Sequence, residues 1–207
     1  MSFVRERFAK ALPVVGGRIW GEREWRKRGF AMPAPQHVKW EVLARYGIAG
    51  GAWVETGTYL GDTTEVLARQ ARHVWSIEPE PTLAANAGRR FAENSKVTIV
   101  HGTSEQRLED VLDRVGEGPL SLWLDGHYSA GITFQGDNDT PIRMELELVG
   151  KRLSEWSSVA VLVDDVRCFD PSNPLFASYP PREWLVDWAV RNGMTWTIEH
   201  DIFAAKR

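Results

Sequence analysis

The chain has 207 residues, of which 43% are hydrophobic and 26% charged, so it can bury an ample core as one globular domain. A single cysteine, Cys168, excludes an internal disulfide framework and a cysteine-based zinc site, and a cytoplasmic location is expected. No apolar run reaches the ~18 residues of a membrane span and no signal-peptide core is visible, so we expect neither a membrane partner nor export. For Cys168 we expect a packing role rather than a nucleophilic one.

The net charge of −3 hides a basic N-terminal segment. Residues 1–28 carry eight Arg or Lys against three Glu, which leaves about −8 for the remainder. Apolar side chains interleave with these charges at near-helical spacing: Phe3, Val4, Phe8, Leu12, Trp20 and Trp25. We predict a helical extension over 1–36 that covers the core domain or a neighbouring subunit, which would make a homo-oligomer. Nucleic acid is the less favoured partner for this segment.

Residues 37–207 are predicted to form one α/β domain. After the Pro33-Ala34-Pro35 break, a first helix leads into an alternation of apolar strands and amphipathic helices. The strands are expected from Trp53 and over 73–78, 97–100, 120–124 and 159–163, and the helices over 37–46, 62–71, 81–92, 104–115, 141–155 and 180–191. Residues 195–206 are expected to form one further strand or a hairpin. This alternation predicts a doubly wound, mainly parallel, Rossmann-like sheet. Trp75, Trp123 and Trp196 lie within these strands, and we expect them to pack in the core rather than to stack on bases.

The turn after the first strand carries the strongest functional signal. It contains Glu55, Gly57 and Gly61 in the pattern E-x-G-x-x-x-G. Gly57 lets the backbone approach a ligand, and Gly61 lets the following helix pack close to the strand. The free N–H groups of that helix start, beside Thr58 and Thr63, favour a negatively charged ligand group. The glycine spacing is not that of nicotinamide-binding proteins, and an ordinary strand-to-helix turn is the alternative.

The other strands also end in polar residues. Glu78 closes the second strand 23 positions after Glu55, close to the ~20-residue offset at which an acid binds the ribose hydroxyls of a nucleoside. The remaining strand ends carry Thr103 and Ser104, then Asp125 and His127, then Asp164 and Asp165. Open α/β sheets bind ligands at the carboxyl ends of their strands. The sequence therefore predicts a cofactor site to which all five strands contribute.

These residues resemble the class I S-adenosylmethionine-dependent methyltransferases over roughly 37–207. More narrowly, the segments 123–131, 139–146 and 163–169 are similar to a bacterial methyltransferase-like group whose relatives include the macrocin-type O-methyltransferases. The resemblance implies S-adenosylmethionine as cofactor, held by Glu55, Gly57, Thr58, Gly61, Thr63, Glu78, Thr103, Ser104 and Asp125. It also implies a divalent cation, magnesium, held by Asp125, Asp164 and Asp165. Helix capping and loop solvation are the alternative roles of these three carboxylates.

Two positions depart from the family pattern. Thr103 stands where many members place an Asp that binds the adenine amino group, so that contact is expected to pass to Ser104 or to backbone. His127 stands where the macrocin type has a second carboxylate. Its imidazole is either a general base or a hydrogen-bonded histidine at a strand end. Asp125 and His127 are therefore the candidate catalytic residues.

The resemblance implies methyl transfer to a hydroxyl of a small molecule, a sugar or another polyhydroxylated natural-product intermediate, with magnesium assistance. The loops 128–140 and 169–179 are expected to border the acceptor, and Asp139 either contacts it or caps the next helix. Two other classes stay open: a metal-dependent oxidative enzyme on a methyltransferase-like scaffold, and a cofactor-binding partner subunit without catalysis. The lack of a cluster of two histidines and one carboxylate argues against the oxidative enzyme.

Overall fold

A seven-stranded sheet forms the centre of the computed structural model, which describes residues 14–126 and 140–207, the first seven of these as backbone only. The strand order is β3-β2-β1-β4-β5-β7-β6. Strands β1 to β5 pair in parallel, whereas β7 is antiparallel to both β5 and β6. The strands are β1 Ala52–Thr56, β2 His73–Glu78, β3 Val97–His101, β4 Pro119–Leu124, β5 Ser158–Val163, β6 Thr195–Glu199 and β7 Ile202–Lys206. The predicted doubly wound, mainly parallel α/β fold is confirmed.

Helices cover both faces of this sheet. They are α1 Val14–Lys27, α2 Gln36–Tyr46, α3 Asp62–Gln70, α4 Pro81–Arg90, α5 Ser104–Val115, α6 Ile142–Arg152 and α7 Arg182–Arg191. The helix predicted over 141–155 is shorter, because its last turn, Leu153–Glu155, is a 3-10 turn. The C-terminal segment is a hairpin and not one strand, since His200 and Asp201 both have positive φ between its two strands.

The core consists of two layers, one on each side of the sheet. Successive residues of a strand point to opposite faces, so the two layers contain alternate side chains of the same strands. Helices α2 and α3 cover one face, where the buried side chains include Leu43, Trp53, Leu67, Trp123 and Leu162. Helices α5, α6 and α7 cover the other, where they include Leu108, Leu122, Leu146, Val161 and Leu185. Burial on both faces explains why the central strands are almost continuously apolar.

Three strand tryptophans were expected to pack in the core, and they differ in outcome. Trp123 in the central strand β4 is buried. Trp75 in β2 is half-buried and packs against the edge of the core. The prediction is wrong for Trp196, which is 44% exposed. Trp196 lies in β6, the outermost strand of the described sheet, whose residues are all exposed or half-buried.

The described part of the N-terminal extension packs on the α/β domain. Trp25 of α1 is buried and lies edge-on to the rings of Phe30 and His200, with ring centroids 5.1 and 5.4 Å away. Trp25 therefore contacts the α/β domain through His200. Phe3, Val4, Phe8, Leu12 and the Trp20 side chain lie outside the described residues. No helix in the described ranges combines the length and apolarity needed to cross a bilayer.

Candidate functional site

The parallel register places the predicted site residues at one edge of the sheet. Thr56 at the end of β1 is opposite both Ile77 of β2 and Leu124 of β4, and Leu124 is opposite Val163 of β5. The residues that follow these strand ends are therefore neighbours in space. Asp125 is also linked to β1 directly, because its N–H donates to the carbonyl oxygen of Thr56 at 3.1 Å.

Both glycines of the β1–α3 turn are required by protein contacts. Gly57 has φ +89°, and a Cβ at this position would lie 2.5 Å from the carbonyl oxygen of Asp125. At Gly61, with φ +82°, a Cβ would lie 2.8 Å from the ring of Phe91, which follows α4. The side chain that an added Cβ at Gly61 would meet is thus Phe91. Both glycines shape the turn through its protein neighbours.

Glu55 lies beneath this turn and has no exposed surface. Its Oε2 accepts hydrogen bonds from the hydroxyls of Thr64 at 2.5 Å and Ser76 at 2.6 Å. Ser76 in turn shares a 2.6 Å hydrogen bond with Thr58. Burial raises the pKa of Glu55 to about 7, although the two hydroxyl donors oppose that increase. Glu55 and Thr58 therefore join β1, β2 and α3 from within, and Oε1 of Glu55 has no hydrogen-bond partner among the described residues.

Glu78 at the end of β2 is oriented by backbone donors. Its Oε2 accepts from the N–H of Tyr59 at 2.7 Å, and its Oε1 accepts from the N–H of Glu80 at 3.0 Å. Burial raises the pKa of Glu78, and these two N–H groups oppose the increase. A carboxylate oxygen has two acceptor positions, so one backbone donor on each leaves capacity for the two hydroxyls of a ribose. This geometry fits the role predicted for Glu78.

The remaining predicted cofactor residues differ in their surroundings. The hydroxyl of Thr63 accepts hydrogen bonds from Gln36 and Trp40, both at 3.1 Å, and so connects α3 to α2. The N–H of Thr103 donates to Gln106 at 3.5 Å, a long capping-box contact at the start of α5. The hydroxyl of Ser104 is buried and has no partner in the described part of the chain. Of Thr103 and Ser104, the serine is therefore better suited to bind a ligand.

The three predicted metal ligands face a lysine. Nζ of Lys39 on α2 forms an ion pair with Oδ2 of Asp164 and lies 3.4 Å from Oδ1 of Asp165. Lys39 is buried, which lowers its pKa, but the negative charges of Asp164, Asp165 and Asp125 together raise it above its ordinary value. Lys39 is therefore protonated and lies close to all three carboxylates.

A second cation supports this cluster from the other side. Nη1 of Arg167 is 2.5 Å from Oδ1 of Asp165 and also forms an ion pair with Oδ2 of Asp201. The N–H of Arg167 donates to Oδ1 of Asp201 at 2.7 Å. Asp165 itself has φ +56°, which turns the chain sharply after β5. The Asp-Asp pair is thus held by one cation from α2 and one from the turn after β5.

This arrangement does not fit the magnesium site that the resemblance implies. Mg²⁺ requires about six oxygen ligands in near-octahedral geometry, several of them usually water. Here an ammonium group contacts Asp164 directly and already compensates part of the negative charge of the trio. In residues 14–126 and 140–207, no group of three potential ligand side chains is arranged to hold a metal ion.

A narrow cleft with a cavity volume of about 10 Å³, room for about one water molecule, adjoins the acidic cluster. Its walls contain two carboxylates, Asp164 and Glu145, which are 4% and 1% exposed. The other lining residues are Leu124, Gly126, Thr140, Pro141, Ile142, Val163, Phe169 and Tyr179. Burial raises the pKa of Tyr179, which also hydrogen-bonds with Thr140. Polar and apolar atoms therefore contribute equally to the exposed wall of the cleft, and the polar groups include carboxylates and hydroxyls.

Cys168 packs beside this cleft and is unsuited to nucleophilic attack. It is buried, and burial together with nearby Asp165 raises the pKa of its thiol to about 11. The predicted packing role therefore agrees with its surroundings.

Some predicted residues lie outside the described part of the chain, and some contributors were not predicted. His127 and Asp139 belong to the former group, as does most of the loop 128–140.

Three residues of the site were not predicted to take part in it: Lys39, Arg167 and Tyr179. The role of Lys39 could have been suspected from the sequence, because this lysine lies on the same buried stripe of α2 as Val38, Val42 and Leu43. A lysine on an apolar stripe needs a buried partner.

Solved methyltransferase structures share this fold. The N-methyltransferase NodS from Bradyrhizobium japonicum WM9 has a TM-score of 0.54 and 14% identity, covering 83% of this chain and 94% of that one. NodS is also known in complex with S-adenosyl-L-homocysteine. The 23S rRNA methyltransferase ErmE has a TM-score of 0.51 and 12% identity, with 86% and 70% of the two chains covered.

The same fold also occurs in a protein that is named as a decarboxylase. A precorrin 8W decarboxylase from Methanobacterium thermoautotrophicum has a TM-score of 0.50 and 11% identity, covering 85% of this chain and 91% of that one. No family model and no curated protein matches the chain. At these identities, the comparisons establish a Rossmann-like methyltransferase fold, and activity has to be argued from the site.

Proposed function

We propose that the protein transfers a methyl group from S-adenosylmethionine to a hydroxyl group of a small, polyhydroxylated acceptor. One observation carries the proposal: the backbone-oriented carboxylate of Glu78 and the cleft containing Asp164 and Glu145 lie at the same edge of a methyltransferase-type sheet. The first has acceptor capacity for ribose hydroxyls, and the second offers carboxylate oxygens that can accept hydrogen bonds from acceptor hydroxyls.

The residues at the β1–β2–β3 edge fit the cofactor. Glu78 would hold the ribose hydroxyls, and the buried hydroxyl of Ser104 would contact the adenine. The exposed side chains of Tyr59 and Leu60 supply apolar surface beside them. When bound, the cofactor supplies an electrophilic methyl group on a sulfonium centre. Glu55 and Thr58 support this edge from below and do not need to touch the ligand.

The residues at the β4–β5 edge would bind and deprotonate the acceptor. Asp164 and Glu145 can accept hydrogen bonds from acceptor hydroxyls, and one of the two would take the proton that the reacting hydroxyl loses. Phe169 and Ile142 supply apolar surface beside these carboxylates. Asp125 and His127 remain predicted catalytic residues.

The charged groups of the cleft favour one class of acceptor. The described wall of the cleft contains two carboxylates and no Lys or Arg that could pair with a phosphate backbone, which disfavours RNA, although ErmE, with the same fold, is an rRNA methyltransferase. A neutral, hydroxyl-bearing molecule is attracted to the same groups by hydrogen bonding. Magnesium is left out of the proposal, because Lys39 already compensates the predicted ligand set. No observation favours the oxidative enzyme or the non-catalytic subunit.

The deciding experiment uses cofactor labelled on the methyl group. The protein is incubated with sugars, nucleotide sugars, phenols, amines and rRNA, and label transfer is measured for each class. We expect label transfer to a hydroxylated small molecule. Of the variants Glu145→Gln and Asp164→Asn, the one that removes the base should lower kcat by at least ~100-fold. Cofactor affinity should change little in that variant. Transfer to rRNA or to amines alone would overturn the acceptor assignment, and failure to bind the cofactor would overturn the whole proposal.

A further inference from the structure

Lys39 is placed where the acidic cluster needs a cation. It lies on α2, 125 positions before Asp164 in the chain, and its Nζ contacts that carboxylate directly. The same atom is 3.4 Å from Asp165, and the charge of Asp125 also acts on it. A divalent cation bound by these three aspartates would have to lie between them, where the ammonium group of Lys39 lies.

Helix α2 is fixed in a way that keeps Lys39 in this position. Gln36 and Trp40, on either side of Lys39, both donate to the hydroxyl of Thr63 at the start of α3. Val42 and Leu43 on the following turn are buried against the sheet. The lysine backbone is therefore anchored on both sides, and its side chain projects from a rigid helix rather than from a loop.

The charge balance of the cluster also depends on Lys39. Asp164 uses Oδ1 to accept the N–H of Asp165 at 2.8 Å, and Oδ2 to bind Lys39. Asp165 has a second cation in Arg167, whereas Lys39 is the cation that contacts Asp164 among the described ion pairs. Removal of the lysine would leave a buried carboxylate at the cleft without its charge partner, which is costly unless another cation binds.

We infer that the ammonium group of Lys39 is the resident cation of the Asp125, Asp164 and Asp165 cluster, and that it takes the place of a divalent metal ion and positions Asp164 at the acceptor cleft. Lys39 is a positioning residue, since it acts through Asp164. Its role in catalysis rests on the proposed methyl transfer, but its occupation of the cation site does not. Turnover is then independent of divalent cations.

The test is a titration with Mn²⁺ alone, followed by electron paramagnetic resonance, on the full chain without cofactor. The wild-type protein should show no specific Mn²⁺ binding. Lys39→Met should bind Mn²⁺ at least ~10-fold more tightly, because the carboxylates then lack their internal cation. Adding Asp164→Asn to Lys39→Met should abolish that gain.

Two variants separate this effect from a general loss of positive charge. Lys39→Arg keeps a cation in the cluster and should not gain Mn²⁺ binding. Lys27→Met removes an exposed lysine that pairs with Glu24 in α1, and it should behave like the wild-type protein. Circular dichroism identifies any variant that fails to fold, and for that case the wild-type titration decides the question by itself.

Specific Mn²⁺ binding by the wild-type protein that disappears in Asp164→Asn would overturn the inference, as would a folded Lys39→Met that gains no Mn²⁺ binding. These outcomes do not depend on catalysis. The proposed function fails separately, if a calorimetric titration shows no S-adenosylmethionine binding. If the inference and the proposed function both hold, excess chelator leaves the turnover of the wild-type protein unchanged. Lys39→Met then has a lower kcat, and its activity responds to Mn²⁺, whereas that of Lys39→Arg does not.

Discussion

The carboxylate of Glu55 accepts a hydrogen bond from the hydroxyl of Thr64, nine residues further along the chain, and both residues are fully buried. This contact joins the end of β1 to the first turn of α3 across the turn that carries Gly57 and Gly61. A buried acid at this place makes the stability of the turn depend on pH.

We predict that Glu55→Gln removes a pH dependence of stability between about pH 4.5 and 7. Burial raises the pKa of Glu55 from 4.5 to about 7, so folding favours its protonated form. That contribution is fully present below pH 4.5 and is lost as the pH rises through 7. Glutamine has no proton to lose, so the variant does not lose this contribution. As the pH rises from 4.5 to above 7, the unfolding free energy of the variant should therefore increase by on the order of 3 kcal/mol relative to that of the wild type.

Urea denaturation at several pH values measures this difference. Glu117→Gln, which changes an exposed carboxylate, should keep the wild-type pH dependence because Glu55 remains. A constant difference between wild type and Glu55→Gln from pH 4.5 to 7 would contradict the prediction.

Glu78→Ala should weaken S-adenosylmethionine binding by ~1 to 3 kcal/mol, because the ribose hydroxyls lose a charged acceptor. Isothermal titration calorimetry measures the affinity. Glu80→Ala is the control: its Oε2 accepts the N–H of Leu83 at 2.6 Å and caps α4, so the variant should lose helix stability but keep its cofactor affinity. Equal losses of affinity in the two variants would show that Glu78 acts only on the local backbone.

Gly57→Ala should destabilise the protein more than Gly50→Ala. Both glycines have positive φ, +89° and +72°, so each alanine should cost ~1 to 2 kcal/mol through its backbone conformation. Only at Gly57 would the new Cβ also meet an atom, the carbonyl oxygen of Asp125 at 2.5 Å, whereas nothing lies within 4 Å at Gly50. Thermal denaturation of both variants compares these costs, and equal shifts would refute the contact argument.

Arg167→Met should destabilise the protein by ~1 to 3 kcal/mol, a range that allows for the partial exposure of its side chain. The substitution leaves Asp165 and Asp201 without their shared cation. Arg45→Met is the matched control, since Arg45 is paired with Glu199 on the surface and its loss should change stability little. Chemical denaturation that shows the larger loss for Arg45→Met would contradict this ranking.

The order of the elements could be predicted because the signals are local. Strand β2 and helix α5 occupy the residues predicted for them, since apolar periodicity and flanking polar residues define each one. The first turn of α7 was predicted too early, because Pro180 and Pro181 precede the helix and do not belong to it. Strand β6 was recognised, but its edge position, which exposes Trp196, depends on sheet order and not on local pattern.

The candidate site could be predicted only in part. The strand-end rule correctly indicated where Glu78, Asp125 and Asp164 lie, because parallel strands end at the same edge. The rule does not show which way a side chain points, so it did not predict that Glu55 lies buried beneath the turn. The ion pair of Lys39 with Asp164 joins positions 125 residues apart, and no spacing within a single element could reveal it.

The antiparallel placement of β7 between β5 and β6 has a consequence for folding order. Strand β5 is complete in the emerging chain well before β7, so its outer edge stays open until the hairpin docks. Asp201 lies at the tip of that hairpin, and only its arrival gives Arg167 a second carboxylate. During biosynthesis the acidic cluster is therefore completed late, after the sheet that supports it has formed.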